Sequence, residues 1–252
     1  MLKRIILTLL FTFIFSSSLI ASKPTLIFYC GITMVKPITQ MAKIIEDKYN
    51  CKIIVSQGGS EDLYDSLKFS KKGDLYLPGS EAYRINNLKD GFLLDSVEIG
   101  FNQAAIFVQK GNPLEVKSLD DIVSENFGSI LCNPNSGSIG KMTKKILTTY
   151  KGNEFFEKAY DNSVEIGTDS RNLNKALIDK RADLTINWKA TSFWDENKKY
   201  IDIVNIDEKY APKRKLIISL LKFSENKEIA KAFMNFAVSN EGQEIMKKYG
   251  FL

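Results

Sequence analysis

Apolar residues along the chain follow two alternating periods, one typical of strands and one typical of helices. Residues 25–29 form a short apolar block like a buried strand, and within 33–49 the residues Ile38, Met41 and Ile45 recur at helical spacing. The same succession repeats to the end of the chain. It predicts further strands at 52–56, 74–77, 100–110, 128–132, 164–167, 183–187 and 216–223, and helices after Ser60 and Ser80 and at 138–150, 170–178, 227–238 and 240–249. Such alternation predicts an α/β fold with parallel sheets.

Two of the predicted strands, 100–110 and 216–223, are long enough to pass between separate lobes. Because the strand-then-helix pattern repeats on each side of the first crossing, we predict two α/β lobes joined by two crossing strands. The predicted partition is a first lobe at 23–102, a second lobe at 103–213 and a return to the first lobe at 214–252. Ligands of open α/β sheets bind outside the carboxyl ends of the strands, so the expected site is the cleft between the lobes.

The N-terminal segment 1–22 has the layout of a secretory signal peptide. Lys3 and Arg4 precede an apolar run at 5–15, and small residues follow at 16–22. The run is too short to span a bilayer, for which about 20 apolar residues are needed. Cleavage at the end of this segment would lower the formal net charge from +5 to +3 and leave a soluble protein in the periplasm.

Composition excludes several classes of function. A net charge of +3 after export is too mild to predict a nucleic-acid partner. The sequence contains no histidine, which removes the usual general base and the commonest metal ligand. It has no Gly-x-Ser-x-Gly motif, and its cysteines have no histidine to activate them as nucleophiles. We therefore predict no enzymatic activity, no metal site and no cofactor.

The three cysteines, Cys30, Cys51 and Cys132, bear on disulfides and on soft ligands. Cys30 ends the first predicted strand and Cys51 begins the second. If these strands are parallel neighbours, roughly 17 Å separates the two residues, whereas a disulfide needs Cα atoms within about 7 Å. We predict no bridge between them. Cys30 and Cys132 each end a strand, and two interpretations stay open: small buried side chains, or a thiol pair across the cleft for a thiophilic solute such as arsenite.

Three predicted helix N-termini follow strands and carry glycine and hydroxyl residues, at 31–33, 58–60 and 136–140. A helix N-terminus exposes unpaired N–H groups and a partial positive charge. Glycine lets an anion approach the backbone, and serine or threonine adds a hydroxyl donor. For any one of the three, a simple N-cap is the stronger explanation. Three in matching places across two lobes favour an anion site.

Several residues near the predicted cleft have alternative roles. Arg171, at the start of a predicted helix, can meet an oxyanion with two parallel N–H bonds or form an ion pair with nearby Asp169. Lys141 faces either an anion or solvent. Asn187 and Trp188 follow a strand of the second lobe, where they close the site or, in the case of Trp188, belong to the core or hinge.

Landmarks of a known family are spread over nearly all of the predicted mature chain. They are Gly58-Gly-Ser60, Gly73-Asp-Leu-Tyr-Leu77, Val108-Gln-Lys-Gly-Asn-Pro113, Asn133-Pro134 with Gly140, and the closing Ser239-Asn-Glu-Gly-Gln-Glu-Ile-Met-Lys-Lys-Tyr-Gly-Phe251. With them the chain resembles the periplasmic substrate-binding proteins of ABC transporters, specifically the molybdate-binding type and its oxyanion-binding relatives. The resemblance implies a type II periplasmic binding fold and a non-enzymatic receptor that closes around its ligand.

The resemblance also implies a set of donors. Thr33 and Ser60 match the family's two hydroxyl positions in the first lobe, and a backbone N–H would come from Ser138 or Ile139. A second N–H would come from the helix start near 172–173. Asn187 stands where the molybdate-binding type has a tyrosine, so the resemblance implies the oxyanion class rather than molybdate itself.

The sequence thus predicts a monomeric, exported protein that captures a small oxyanion, molybdate-like or phosphate-like, for an ABC importer. The alternative is a sensory protein of the same fold that presents its ligand to a histidine kinase or chemoreceptor. The candidate ligand-binding residues are Thr33, Gly59, Ser60, Ser138, Ile139, Gly140, Arg171 and Asn187.

Overall fold

The computed structural model describes residues 23–251, so the predicted signal peptide lies outside the described residues. Within that part of the chain, no helix is both long and apolar enough to cross a membrane. The strands are β1 (Thr25–Gly31), β2 (Lys52–Gly58), β3 (Leu75–Leu77), β4 (Leu93–Asn102), β5 (Ala104–Gln109), β6 (Ser129–Cys132), β7 (Glu165–Gly167), β8 (Leu184–Trp188), β9 (Ile201–Asn205) and β10 (Arg214–Leu221). The α-helices are α1 (Val35–Tyr49), α2 (Ser60–Ser70), α3 (Glu81–Asn87), α4 (Ser138–Lys151), α5 (Asn153–Asp161), α6 (Ser170–Ile178), α7 (Lys227–Ala237) and α8 (Asn240–Lys248).

The first lobe is built on a five-stranded sheet of order β2-β1-β3-β10-β4. Strands β2, β1 and β3 are parallel, whereas β10 runs antiparallel to both β3 and β4. Helix α1 buries the face that carries Ile38, Met41 and Ile45, as its helical spacing predicts. Phe28 of β1 meets Phe233 of α7 edge-on, with ring centroids 5.1 Å apart, which fastens the C-terminal helices to this sheet.

The second lobe repeats this plan around a sheet of order β7-β6-β8-β5-β9. Strands β7, β6 and β8 are parallel, and β5 runs antiparallel to β8 and β9. Its separate core holds Phe107, Ile146, Leu147 and Trp188, all at most 1% exposed. The segment after β8 leaves this lobe. Its short 3-10 helix (Lys189–Phe193) places Ala190 in the first core, and Glu196 beyond that helix pairs with Lys36 of α1 at 2.7 Å.

The structure corrects two features of the predicted strands. Both sheets are mixed rather than parallel, because the crossing strands return in the opposite direction. The predicted strand 100–110 is two strands, β4 in the first sheet and β5 in the second, with Gln103 between them. The chain does pass between the sheets here, but β4 extends back to Leu93 along a mostly exposed stretch that carries little hydrophobic signal.

Strand register bears directly on the cysteines. Cys30 pairs in register with Gln57, and Cys51 precedes Lys52, which pairs with Thr25 at the other end of β1. Cys30 and Cys51 therefore lie at opposite ends of a strand pair, and all three cysteines are free and buried. The prediction of no bridge between Cys30 and Cys51 is confirmed.

Parallel order within each lobe brings the carboxyl ends of the strands to one edge. In the first lobe β1 ends at Gly31, β2 at Gly58 and β3 at Leu77. In the second lobe β6 ends at Cys132 and β7 at Gly167. The loops and helix starts that follow these five ends form the walls of the cleft.

Candidate oxyanion-binding site

A small cavity of about 30 Å³ lies where the two lobes meet. Five strand-to-helix junctions contribute to its walls, three from the first lobe and two from the second. Its lining residues are Gly31, Ile32, Thr33, Gly58, Gly59, Ser60, Gly79, Gly137, Ser138, Ile139, Asp169 and Ser170. None of them is a lysine, an arginine or an aromatic residue, so the donors that face this cavity are backbone amides and hydroxyl groups.

Two of the helix starts at the cavity lack a side-chain cap. The N-cap residues of α2 and α4 are Gly59 and Gly137, neither of which makes a side-chain hydrogen bond. Ser60 and Ser138 are the first helical residues, so their hydroxyls do not act as N-caps. The amides of the first turn of each helix therefore have neither intrahelical nor cap acceptors. Together with the helix dipoles, these amides favour an anion at this wall. The lining also contains one carboxylate, Asp169, which is paired with Arg171 and accepts from the first amides of α6.

The hydroxyls of Ser60 and Ser138 are held in place by donors from their own lobes. The Gly79 N–H donates to Ser60 Oγ at 2.9 Å, and Trp188 Nε1 donates to Ser138 Oγ at 3.1 Å. Ser60 is only 2% exposed. Across residues 23–251, neither hydroxyl proton has an acceptor, so each is free to donate to a ligand. Trp188 is thus a core residue that orients one of these donors.

The remaining hydroxyl of the predicted set, Thr33, is more constrained. Thr33 Oγ1 donates to Met34 Sδ at 2.7 Å and accepts from Asn102 Nδ2 at 3.3 Å. Thr33 is buried and lines the cavity. Because sulfur is a weak acceptor, a charged ligand would compete well for this proton.

Direct contacts between the lobes surround the cavity. Gly79 of the first lobe packs against Ser138 of the second so closely that a Cβ at Gly79 would collide with Ser138 Oγ. At the rim, Lys141 forms an ion pair with Glu61, and Arg171 Nη1 donates to Gln57 Oε1 at 3.3 Å. The pKa of Lys141 is raised despite its partial burial, because Glu61 and Tyr83 stabilise the cation. These contacts describe a closed arrangement of the lobes.

Arg171 does not line the cavity. Its side chain is half exposed and lies 3.6 Å from Asp169 Oδ2, so the ion pair is the alternative that the structure favours. Asp169 also caps α6, because its Oδ1 accepts from the amides of Arg171 and Asn172. The amide of Leu173 donates to the Asp169 carbonyl. The N–H groups near 172–173 are therefore already paired, which contradicts the role implied for them by the family resemblance.

Asn187 also lies outside the cavity, as a fully buried part of the scaffold. Its Nδ2 donates to the Ser170 carbonyl at 3.0 Å and to Asn174 Oδ1 at 2.8 Å. Its Oδ1 accepts from the Trp188 amide at 2.8 Å. Asn187 was expected to contact the ligand, but all its polar atoms instead hold the start of α6 against β8, which positions Ser170 and Asp169 at the cavity.

Replacing Asn187 by alanine is expected to lower the free energy of unfolding by about 2–4 kcal/mol, because three buried polar atoms lose their partner at once. Lys175→Ala is the matched control on α6, since its ion pair with Asp179 is at the surface and contributes little. Chemical denaturation followed by circular dichroism measures both changes. A loss for Asn187→Ala no larger than that of the control would contradict this structural role.

The two glycines of the predicted set, Gly59 and Gly140, have different functions. Gly59 lines the cavity, and a Cβ there would lie 2.9 Å from the Ser136 carbonyl across the cleft. Gly140 is not in the lining. A Cβ at Gly140 would collide with the Asn133 carbonyl and lie 3.0 Å from Pro134 Cα, so this glycine permits close packing within the second lobe.

Neither Cys30 nor Cys132 lines the cavity, so the structure gives no support to a thiol pair for arsenite. Cys30 Sγ donates to the Gly31 carbonyl, and Cys132 Sγ lies 3.7 Å from Ser136 Oγ. Burial raises the pKa of the Cys132 thiol to about 11 and that of Cys30 further. Both are protonated small side chains of the core at neutral pH. Within residues 23–251, no group of three or more His, Cys, Asp or Glu residues could hold a metal ion.

Three residues of the cavity wall lie outside both the predicted set and the three predicted helix N-termini: Gly79, Asp169 and Ser170. Gly79 had a detectable signal, because Pro78-Gly79 follows a predicted strand and precedes a helix start, as at the other junctions. The sequence indicates Asp169 as a helix cap and as an ion-pair partner of Arg171, whereas its position at the cavity depends on the buried contacts of Asn187.

Comparison with known proteins identifies a family and a fold. Residues 26–252 match the family model for bacterial extracellular solute-binding proteins. A search of curated proteins finds no match. Among solved structures, the periplasmic molybdate-binding protein of Azotobacter vinelandii superposes with a TM-score of 0.77 at 15% identity, covering 90% of this chain and 98% of that chain.

Two further structures cover similar shares of the chain. The sulfate-binding protein SubI of Mycobacterium tuberculosis has a TM-score of 0.75 at 17% identity, over 90% of this chain and 86% of that one. PEB3 of Campylobacter jejuni, solved with L-phospholactate, has a TM-score of 0.71 at 20% identity, over 90% and 98%. At these identities the likeness establishes the fold, and it confirms the predicted two-lobed periplasmic binding fold.

Proposed function

Because the chain belongs to the family of bacterial extracellular solute-binding proteins, we propose that it captures a small oxyanion and presents it to the permease of an ABC importer. This family binds solutes and does not catalyse reactions, so the prediction that the chain is not an enzyme is confirmed. Of these three structural relatives, two are named for molybdate or sulfate and the third was solved with L-phospholactate, and each of these ligands has an oxyanion group. Their ligands support the same chemical class here.

The observation that carries the proposal is the set of uncapped donors facing one cavity. The first turns of α2 and α4 approach from opposite lobes, and Ser60 and Ser138 add a hydroxyl proton each. An oxyanion offers several acceptor lone pairs in a small volume and satisfies such donors without a counter-ion. These donors would repel a cation, and a neutral solute would gain less from them because its hydrogen bonds are not charge-assisted.

The size of the cavity limits what it can hold. Its volume of about 30 Å³ compares with the 300–1,000 Å³ typical of pockets for drug-sized molecules. With the lobes in this closed arrangement, a sugar, an amino acid or a nucleotide does not fit inside it. A single tetrahedral group, with the small displacement of the lobes that its entry requires, is the group that matches this scale.

The proposal includes export and hinge closure. Segment 1–22 would direct the chain to the periplasm, where a monomer of two lobes, 23–102 with 214–252 and 103–213, would close around the ligand. Closure brings the Ser60 and Ser138 donors to one anion, so the bound form differs in shape from the free form. That difference is what a permease can recognise.

Thermal unfolding against a panel of anions tests the proposal. The panel contains molybdate, tungstate, sulfate, phosphate, nitrate, an organic phosphate and an organic sulfonate, with chloride as the control. An anion at a hundred times its dissociation constant adds about 2.7 kcal/mol of stability, which corresponds to a rise in Tm of roughly 5–10 °C for a chain of this size. No rise with any oxyanion, including organic phosphates and sulfonates, would overturn the proposed function.

A further inference from the structure

A second cavity of about 170 Å³ adjoins the first. The two cavities share Ser138, and Ser80 of the second follows directly on Gly79 of the first. Its walls come from α3 of the first lobe, α4 of the second lobe and the start of the crossing strand β10. The lining residues are Ser80, Ala82, Tyr83, Asn86, Ser138, Lys141, Met142, Lys145 and Arg214.

This second cavity carries an excess of positive charge. Three of its lining residues, Lys141, Lys145 and Arg214, are cations, and none is a carboxylate. Two of the cations are paired from outside the lining, Lys141 with Glu61 and Arg214 with Glu81. Lys145 makes no ion pair within residues 23–251. One exposed cation, Lys145, is therefore left without a counter-charge at the wall of this cavity.

Arg214 adds a donor that lacks a partner. Its side chain is only 19% exposed, and one guanidinium nitrogen, Nη1, lies 3.3 Å from Glu81 Oε1. Within the described part of the chain its buried Nε atom has no acceptor, and the buried Oε2 of the same Glu81 has no donor. Tyr83 adds a phenol at the same wall, and burial raises its pKa so that it remains a protonated donor at neutral pH.

The remaining wall is apolar, formed by Ala82 and Met142. A few methylene groups can lie there, whereas a second inorganic ion would leave this surface uncovered. The space therefore suits a short carbon chain that ends in an anionic group. Because both lobes and β10 contribute, an occupant would strengthen closure of the cleft.

We propose that the ligand is a small organic molecule with two anionic groups: a tetrahedral oxyanion head in the interlobe cavity and, on a chain of one to three carbons, a carboxylate in the second cavity beside Lys145 and Arg214. This inference rests on the proposed function, because it takes the head to be the oxyanion bound by Ser60 and Ser138. It goes further by assigning the adjoining cavity to the tail.

Isothermal titration calorimetry with matched ligands tests whether a carboxylate tail contributes to binding. The phosphate series is inorganic phosphate, ethyl phosphate and phosphoglycolate, and the sulfur series is sulfate, ethanesulfonate and sulfoacetate. Within each series the last two differ only in a methyl or a carboxylate at the end of the same chain. In the series whose head is accepted, the carboxylated ligand is expected to bind roughly 10- to 100-fold more tightly than its ethyl counterpart.

Variants of two lysines on α4 test whether Lys145 is the source of the preference for the carboxylated ligand. Lys145→Met should reduce the preference for the carboxylated ligand to less than about threefold and leave affinity for the inorganic anion unchanged. Lys144→Met is the matched control, an exposed lysine on the same helix outside the lining, and should keep the full preference. Ser60→Ala should weaken all accepted ligands together, because it acts on the head.

The outcomes separate this inference from the proposed function. Equal affinities for the ethyl and carboxylated ligands, or a preference that survives in Lys145→Met, would overturn the two-part ligand and leave a simple oxyanion receptor. Absence of binding by all six compounds, together with a rise in Tm caused by molybdate, tungstate or nitrate, would overturn the two-part ligand and leave the proposed function standing. A preference lost in Lys145→Met and kept in Lys144→Met supports the assignment.

Discussion

Gly79→Ala is expected to weaken binding of the oxyanion at least about 100-fold while leaving the unliganded protein nearly as stable as the wild type. A Cβ at this position would collide with Ser138 Oγ and lie 3.0 Å from Ser138 Cβ, both on the opposite lobe. Rotation of the Ser138 hydroxyl would break its bond from Trp188 Nε1 and would still leave the two Cβ atoms 3.0 Å apart, so the lobes are expected to open. An open cleft loses the contacts of one lobe with the anion, and two hydrogen bonds to a charged group at about 1.5–3 kcal/mol each exceed the energy of a 100-fold change.

Gly128→Ala is the matched control for this prediction. It makes the same substitution within the second lobe, where the nearest atom to the new Cβ is Val164 Cγ1 at 3.3 Å, so only a small local shift is needed. Titration calorimetry should give near-wild-type affinity for Gly128→Ala and a large loss for Gly79→Ala. Equal affinities for the two variants would contradict closure at the contact between Gly79 and Ser138.

Ser60→Ala is expected to reduce oxyanion affinity by about 10- to 100-fold, because a hydrogen bond to a charged group is worth roughly 1.5–3 kcal/mol. The hydroxyl is positioned for this role, since it already accepts from the Gly79 amide at 2.9 Å and retains its own proton. The dissociation constant should rise for every anion that binds.

Ser66→Ala provides the control on the same helix. Its hydroxyl donates to the Asp62 carbonyl of α2 at 2.7 Å and faces solvent, away from the cavity. Binding by Ser66→Ala should match that of the wild type. If Ser60→Ala also binds normally, the hydroxyl is not a ligand donor and the anion does not lie at the start of α2.

The elements that sequence patterns predicted well are those whose signal is local. Helix α1 and strands β1 and β10 have strong apolar periodicity or long apolar runs. Strand β4 was largely missed because it is mostly exposed and is held by its pairing with β10, a neighbour distant in sequence. The same dependence on distant pairing explains why the antiparallel half of each sheet was not foreseen.

The residues of the binding site likewise divide into those with a local sequence signal and those whose role depends on contacts distant in sequence. Hydroxyls and glycines at the junctions after β1 and β2 could be found because strand ends and helix starts are visible in the sequence. Arg171 and Asn187 were assigned to the ligand, yet their partners, Asp169 and the start of α6, are selected by tertiary packing. Gly79 was missed for a related reason, because its importance lies in a contact between lobes.

The most direct test of the central claim is a crystal structure of the protein with whichever anion gives the largest rise in Tm. The account predicts closed lobes and density for one oxyanion within hydrogen-bond distance of Ser60 Oγ, Ser138 Oγ and the first amides of α2 and α4. Density for the anion elsewhere on the surface, with the cavity between Ser60 and Ser138 unoccupied by it, would contradict the account.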